Sequence, residues 1–290
     1  MAVGKDTIFE RFLAPIFQHL LIDAEAMDRF YRSIDWENTC DRLKNPNLIY
    51  PEYYQSQNFH GIEGGYLTTG AAVSYDPVTQ YVLPPNETWV RQGVINAVNS
   101  QPRRILDLGC GTGSTTLLLK QAFAAAEVVG LDLSPYMLAA TEAKAKTAGL
   151  EIQLVHGNAE NTGFEEASFD LVTASLLFHE TPPEVTQTIL KESFRLLATA
   201  GQVIILDGNQ KTLRQAEWLT QIFEEPYIKD YAAGSLDAML GAAGFAAVRT
   251  EDWWGVHQIS CGVKAIPNHP VNVHDDAPET ETFSDSPQFA

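Results

Sequence analysis

The run Asp107-Leu108-Gly109-Cys110-Gly111-Thr112-Gly113 constrains the fold of this chain more than any other segment. Arg104–Leu108 reads as a strand leading into it, and Ser114–Phe123 reads as a helix leaving it. Glycines between two such elements let the backbone turn sharply and let a ligand approach it closely. Asp132 closes the next candidate strand, Glu127–Asp132, 19 residues beyond Gly113, where a carboxylate can accept both hydroxyls of a ribose. Taken alone, the two features specify a nucleoside-containing ligand and nothing finer.

The alternation of strand and helix continues along the chain. Further candidate strands are Glu151–His156, Phe169–Ser175 and Gln202–Asp207, with a closing pair near Ala246–Glu251 and Trp254–Val263. Helical patterns fall at Pro135–Ala148 and Pro183–Leu197; the second has Thr181 as its expected N-cap and Gly201 as its stop. This predicts an α/β fold: a Rossmann-like, seven-stranded, mostly parallel sheet with helices on both faces and an N-terminal helical cap. Three zones follow. Residues 1–85 form the cap and a lid, 86–266 the ligand-binding domain, and 267–290 an acidic, Pro-rich tail expected to be disordered. Within the cap, Ile8, Phe12, Leu13, Ile16, Phe17, Leu20 and Leu21 share a helical face that Pro15 should kink. A second helix should carry Ala26, Met27, Phe30, Tyr31 and Ile34. Packing onto the main domain is the expected role of that apolar stripe, with peripheral membrane contact as the alternative.

Spacing narrows the ligand. A dinucleotide fingerprint is GxGxxG with a pyrophosphate on the helix N-terminus. Here the spacing is GxGxG, and Asp107 stands two positions before the first glycine. A carboxylate there repels a pyrophosphate and suits the ammonium of a methionine moiety. At the end of the third strand, Asn158 can accept from an adenine amine and the Ala159 N–H can donate to a ring nitrogen.

On these residues the chain resembles the class I S-adenosylmethionine-dependent methyltransferases, most closely the ubiquinone/menaquinone C-methyltransferases and their small-molecule relatives. The segments RILDLGCGTG, VVGLDLSPYML, VHGNAENTGFEEASFDLVTAS and ESFRLLATAGQVIILD match that family's landmarks in order across about residues 86–210. The resemblance implies S-adenosyl-L-methionine as cofactor and S-adenosyl-L-homocysteine as product. It implies cofactor contacts from Asp107, Gly109, Cys110, Gly111 and Asp132, with Leu133 against the adenine, and Asn158 and Ala159 at its edge. Ser175 and Tyr66 complete the candidate set. Two departures stand out: the family usually has Asp where Asn158 lies, and Lys-Pro-Gly-Gly where this chain has Ala198-Thr199-Ala200-Gly201-Gln202.

A sulfonium methyl is already activated, so the protein's task is alignment and exclusion of water, with a base needed only if the acceptor must lose a proton. His179 and Glu180, just beyond the fourth strand, are the first candidates for a base or an orienting group; capping the next helix is the alternative. Upstream, Tyr50-Pro51-Glu52-Tyr53-Tyr54 and the glycine- and aromatic-rich stretch from Asn58 to Tyr66 suit a lid, with His60 and Tyr66 as candidates near the methyl group. Trp253, Trp254 and His257 read as packing residues, and Phe223, Tyr227 and Tyr231 as possible shapers of an acceptor site.

Composition bears on partners. The formal charge of −18 argues against a nucleic-acid substrate, because phosphate binding calls for a surplus of Lys and Arg. Cys40, Cys110 and Cys261 lie far apart without metal-ligand spacing, so neither a disulfide framework nor a metal is expected. No export signal or integral membrane segment is expected either. The expectation is a cytoplasmic enzyme, monomer or homodimer, that methylates a carbon or oxygen of an aromatic, quinol or lipophilic compound. A protein or peptide methyltransferase and a non-catalytic S-adenosylmethionine-binding protein are the alternatives.

Overall fold

The computed structural model describes residues 23–59, 62, 64–83, 85–216 and 225–265. The apolar stripe at residues 8–21, His60, Phe223 and the tail from 267 to 290 lie outside the described residues.

Seven strands form one sheet: β1 (Arg104–Leu108), β2 (Glu127–Asp132), β3 (Gln153–His156), β4 (Phe169–Ser175), β5 (Leu197–Gly208), β6 (Ala246–Trp253) and β7 (His257–Val263), in the order β3-β2-β1-β4-β5-β7-β6. The first five are parallel; β7 runs antiparallel between β5 and β6. Leu108 pairs with Leu131 and Ala174, Asp132 with His156, and Ser175 with Leu206. Five strands therefore end along one edge. The chain leaves β1 towards β2 on one side and returns to β4 on the other, which opens a crevice above β1.

Alternate residues of each strand feed opposite faces. Ile105, Val128, Leu171, Ile204 and Leu206 pack under α5 (Glu87–Asn96) and α6 (Ser114–Ala122) through Val90, Val94 and Leu119. Leu106, Val129, Val172, Val203 and Ile205 face the other way, against Ile189 and Leu190 of α8 (Pro183–Leu196), α10 (Ile228–Ala233) and α11 (Leu236–Ala243). A third cluster joins the cap to α7 (Pro135–Ala148). Ile34, with Trp36 and Cys40 from α2 (Trp36–Leu43) and Ala71, Ala72 and Val73 from α4 (Thr69–Val82), packs on Met137, Ala139 and Ala140. Of the second predicted cap helix, α1 (Ala24–Arg32) ends before Ile34, and Tyr31 stays exposed.

Several expected boundaries move. Thr181 does not cap α8. Pro182 is the N-cap, Pro183 presets the first helical φ, and the Thr181 hydroxyl bonds the Thr186 hydroxyl at 2.7 Å. Gly201 does not stop that helix either: α8 ends at Leu196 and β5 begins at once. Ala200 adopts φ +65°, and a side chain at Gly201 would come within 2.8 Å of the Ala198 carbonyl, so the glycine serves an irregularity in the β4–β5 pairing. Trp254 is in no strand. With φ +51° it forms, with Gly255, the turn between β6 and β7.

Candidate active site

The glycine loop leaves β1 at Leu108 and crosses beneath β2's end. Gly109 sits at φ +60°, and a side chain there would come within 2.8 Å of Leu177. At Gly111 the place of a side chain is open space. The loop is pinned from β2: the Cys110 N–H donates to the Leu131 carbonyl (3.0 Å) and the Gly111 N–H to Asp132 Oδ2 (2.8 Å). The other Asp132 oxygen accepts from the Ser134 N–H at 2.8 Å. Burial raises the Asp132 carboxyl to about 6, against the pull of those two N–H bonds, with Glu180 and Asp107 adding to the rise. Asp107 lies behind the loop, 1% exposed, and accepts from the Thr116 and Thr173 hydroxyls at 2.6 and 2.7 Å.

One cavity opens over this edge. Gly109, Gly111, Asp132 and Leu133 line it from the first two strands; Gly157, Asn158 and Ala159 follow β3; Ser175, Leu177 and Glu180 follow β4. The cap contributes Tyr53, Tyr54, Phe59, Tyr66 and Tyr75. Phe59 stacks on Tyr66 with centroids 5.4 Å apart, and Tyr75 meets Tyr66 edge-on at 6.0 Å. His156 ties this cap to the sheet. Its Nδ1 accepts from the Asn45 N–H at 2.9 Å, so its Nε2 carries the proton, which it donates to the Leu133 carbonyl at 2.9 Å; the Tyr50 hydroxyl stands 3.1 Å from the same nitrogen.

Beyond β4, Leu176 takes φ +59° and folds the chain back into a 3₁₀ turn over Phe178–Glu180. Such a conformation costs a non-glycine residue about 1–2 kcal/mol and is retained only where the surroundings enforce it. Asp207, fully buried at the end of β5, enforces it by accepting from the Phe178 N–H (2.9 Å) and His179 Nδ1 (2.6 Å). Burial opposes protonation of His179, yet Asp207, with Glu180 and Glu225 behind it, lifts the imidazole to about 9. Glu180 accepts from the Tyr66 hydroxyl at 2.6 Å, and His179 Nε2 lies 3.9 Å from the same oxygen.

Comparison with known proteins supplies the deciding observation. Residues 105–201 match the family model described as a methyltransferase domain. A demethylmenaquinone methyltransferase of Lactococcus lactis is 31% identical over 222 residues, covering 68% of this chain and 84% of that protein. The chain belongs to the class I S-adenosylmethionine-dependent methyltransferases. The Thermus thermophilus demethylmenaquinone methyltransferase is 38% identical over 119 residues, 41% of this chain; the match spans only about half, 53%, of that relative's length. The fold is also that of Haemonchus contortus phosphoethanolamine N-methyltransferase 2, solved with S-adenosyl-L-methionine, at 14% identity and TM-score 0.55 over 77% of this chain and 62% of that one.

The residues present fit the cofactor of such a methyltransferase. The open face at Gly111 leaves room beside the Asp132 carboxylate, and Leu133, Asn158 and Ala159 line the same cavity. The structure brings together Tyr66, Gly109, Gly111, Asp132, Leu133, Asn158, Ala159, Ser175 and Glu180 from the residues expected in sequence. Asp107, Cys110 and His179 are not among the lining residues. Asp107 acts from behind the loop, and the Cys110 side chain turns towards Gly130 of β2. The Asn158 side-chain oxygen also accepts from the Glu160 N–H at 2.9 Å. Trp253 donates its indole N–H to the Val90 carbonyl, and His257 is buried, held neutral by burial with its imidazole pushed down to about 4. Sequence reasoning missed Tyr75 and Asp207. An acidic residue at or next to a strand's end, as Asp132 and Asp107 are, was the available signal for Asp207; Tyr75, inside α4, had none.

Proposed function

We propose that the protein moves the methyl group of S-adenosylmethionine to a carbon or oxygen of a small aromatic, quinol or lipophilic acceptor. One observation carries the reading. The Glu180 carboxylate, held by the Tyr66 hydroxyl, stands in the wall of the cavity that the glycine loop and Asp132 also line, among five aromatic rings of the cap. Flat apolar walls with a carboxylate between them suit a planar acceptor whose hydroxyl gives up a proton as the new bond forms. The relatives named for demethylmenaquinone support a quinol.

When bound, the cofactor supplies a methyl group already activated by its sulfonium. The chain's residues do the rest. Asp132 and the glycine loop hold the nucleoside, the cap rings exclude water and align the acceptor, and Glu180 accepts the acceptor's proton. His179, outside the cavity and paired with Asp207, orients Glu180 rather than acting as the base itself. Among the described residues no helix is long and apolar enough to cross a membrane. We place the protein in the cytoplasm, where its three buried free thiols, Cys40, Cys110 and Cys261, suit reducing conditions.

The test is transfer of labelled methyl from S-adenosylmethionine into a fractionated small-molecule extract, with Asp132→Ala as the blank. Label in the organic phase, lost in Glu180→Gln and Tyr66→Phe at unchanged cofactor affinity, is the expected result. Label confined to protein, or none despite tight cofactor binding, refutes the small-molecule reading.

A further inference from the structure

Two indoles lie against each other on the outside of the protein. Trp89 and Trp254 are 59% and 50% exposed, and their rings stack with centroids 6.1 Å apart. Single apolar side chains scattered over a surface are ordinary; two adjoining tryptophans left in water are not. Trp254, read in sequence as a packing residue, is turned outward by the rest of its turn. Its neighbour Trp253 does the packing: the Trp253 indole donates to the Val90 carbonyl at 2.9 Å and lies so close over Gly93 that a side chain there would come within 2.7 Å of the ring. The turn is pinned again at Gly255, whose carbonyl accepts from the Thr212 hydroxyl at 2.8 Å, and at Val256, whose carbonyl accepts from the Asn209 N–H at 2.9 Å. So fixed, Trp254 keeps a left-handed φ of +51°, a conformation that disfavours any residue but glycine and is retained where the surroundings enforce it.

The pair shares an edge of the fold with the cavity. His257, three residues past Trp254, pairs with Gly208, the last residue of β5, so the turn stands at the carboxyl ends of the parallel strands. Trp89 is in the first turn of α5, and Ala97, just past the end of that helix, is held by Gln202 from the amino half of β5 at 2.9 Å. α5 therefore starts at the same carboxyl edge over which the cavity opens.

Area and charge choose what covers the pair. About half of each tryptophan offers on the order of 100 Å² apiece, far short of the roughly 800 Å² per partner that a stable protein–protein interface buries. An indole suits the boundary of a lipid bilayer, where the ring is buried while its N–H stays among the headgroups. Attraction to an anionic surface calls for a basic patch. Here Glu87 is paired with Arg91 at 2.8 Å, Asp252 accepts from the Asn209 amide at 2.7 Å, and the whole chain carries −18.

We propose that Trp89 and Trp254 dock the protein reversibly on a zwitterionic lipid surface, with the cavity edge turned towards it. The inference rests on the acceptor being lipophilic, as proposed above: such a compound resides in the bilayer, and docking by this edge shortens its path to the cavity.

Co-flotation of the full chain with phosphatidylcholine vesicles, without any acceptor, tests it. The wild type should float with the vesicles. Trp89→Ala and Trp254→Gly, the second keeping the φ of the turn, should each weaken partitioning about ten-fold or more. Both should retain wild-type affinity for S-adenosylhomocysteine and wild-type methyl transfer into a detergent-dispersed extract. Adding anionic phosphatidylglycerol to the vesicles should weaken binding further. A wild type that stays off phosphatidylcholine vesicles overturns the proposal, as do variants that float equally well or binding that tightens on anionic vesicles. Self-association that both variants lose, without vesicle binding, assigns the pair to a second copy of the chain and overturns it too. Vesicle binding is scored without an acceptor, so a wild type that transfers no label into the dispersed extract strikes the acceptor reading itself, a separate result.

Discussion

In the proposed site, the surroundings of Asp132 set a pH dependence on cofactor binding. Burial lifts its carboxyl from an ordinary 3.8 to about 6 in the ligand-free protein. A ribose bound there donates hydroxyls to the carboxylate and so selects the ionised form. Below pH 6 the ligand-free site is increasingly protonated, and affinity should fall by about ten-fold from the plateau by pH 5, one decade per pH unit. From pH 7 upward it should level off, because Asp132 is then ionised in the ligand-free protein as well. Stability of the ligand-free fold runs the other way. A carboxyl raised in the folded state is a burden while ionised, here about 3 kcal/mol above pH 6, which is relieved as pH falls from 6 towards 3.8. Calorimetric titration with S-adenosylhomocysteine from pH 5 to 8 reads the first effect, and thermal melts of the free protein the second. Asp132→Asn should lower affinity at neutral pH and remove the acid decline. His156, near Leu133, is drawn below its ordinary 6.5 by burial. If Asp132→Asn keeps the wild-type slope, the titrating group is not Asp132 and the argument fails.

The His179–Asp207 pair carries an opposite signature. With the imidazole raised from 6.5 to about 9, its ionic contribution of about 3 kcal/mol is full below pH 6.5 and lost as pH rises through 9. His179→Gln should therefore depress the melting temperature most at pH 6–6.5 and least near pH 10, with S-adenosylhomocysteine affinity within two-fold; a deficit that does not vary with pH refutes the charged pair. At Gly113, φ is +81° and a side chain would come within 2.4 Å of Thr141. Left-handed strain and overpacking together make Gly113→Ala cost about 2–4 kcal/mol, measurable in a denaturant titration; less than 1 kcal/mol would mean that the loop accommodates a side chain.

The parts legible in sequence are those written locally. β1, β2 and β4 fall where expected, the first two punctuated by glycine or aspartate, and Asp132, Leu133, Asn158 and Ala159 reach the cavity as residues at or just past strand ends must. β5 was expected five residues late because Ala198-Thr199-Ala200-Gly201 reads as a turn. In the fold those residues stay extended, except that Ala200 adopts a left-handed φ. The side chains around Glu180 were less legible. Glu180 and Tyr66 could be named as candidates, but their bond joins residues 114 positions apart. Nothing near His179 in sequence announces Asp207, 28 positions on, or the charge it confers.

The imidazole of His156 makes the cap and the Leu133 corner of the cavity a single thermodynamic unit. One ring nitrogen receives the Asn45 N–H from the cap, and the other gives its proton to the backbone carbonyl of Leu133, next to Asp132. Coupling of this kind is reciprocal: by whatever factor an ordered cap tightens the hold on the nucleoside, the nucleoside stabilises the ordered cap. Since Tyr53, Tyr54 and Phe59 follow Asn45 in the same cap segment, a nucleoside bound as proposed would also secure the aromatic walls proposed for the acceptor. Cofactor first and acceptor second is then the order of binding that the coupling favours.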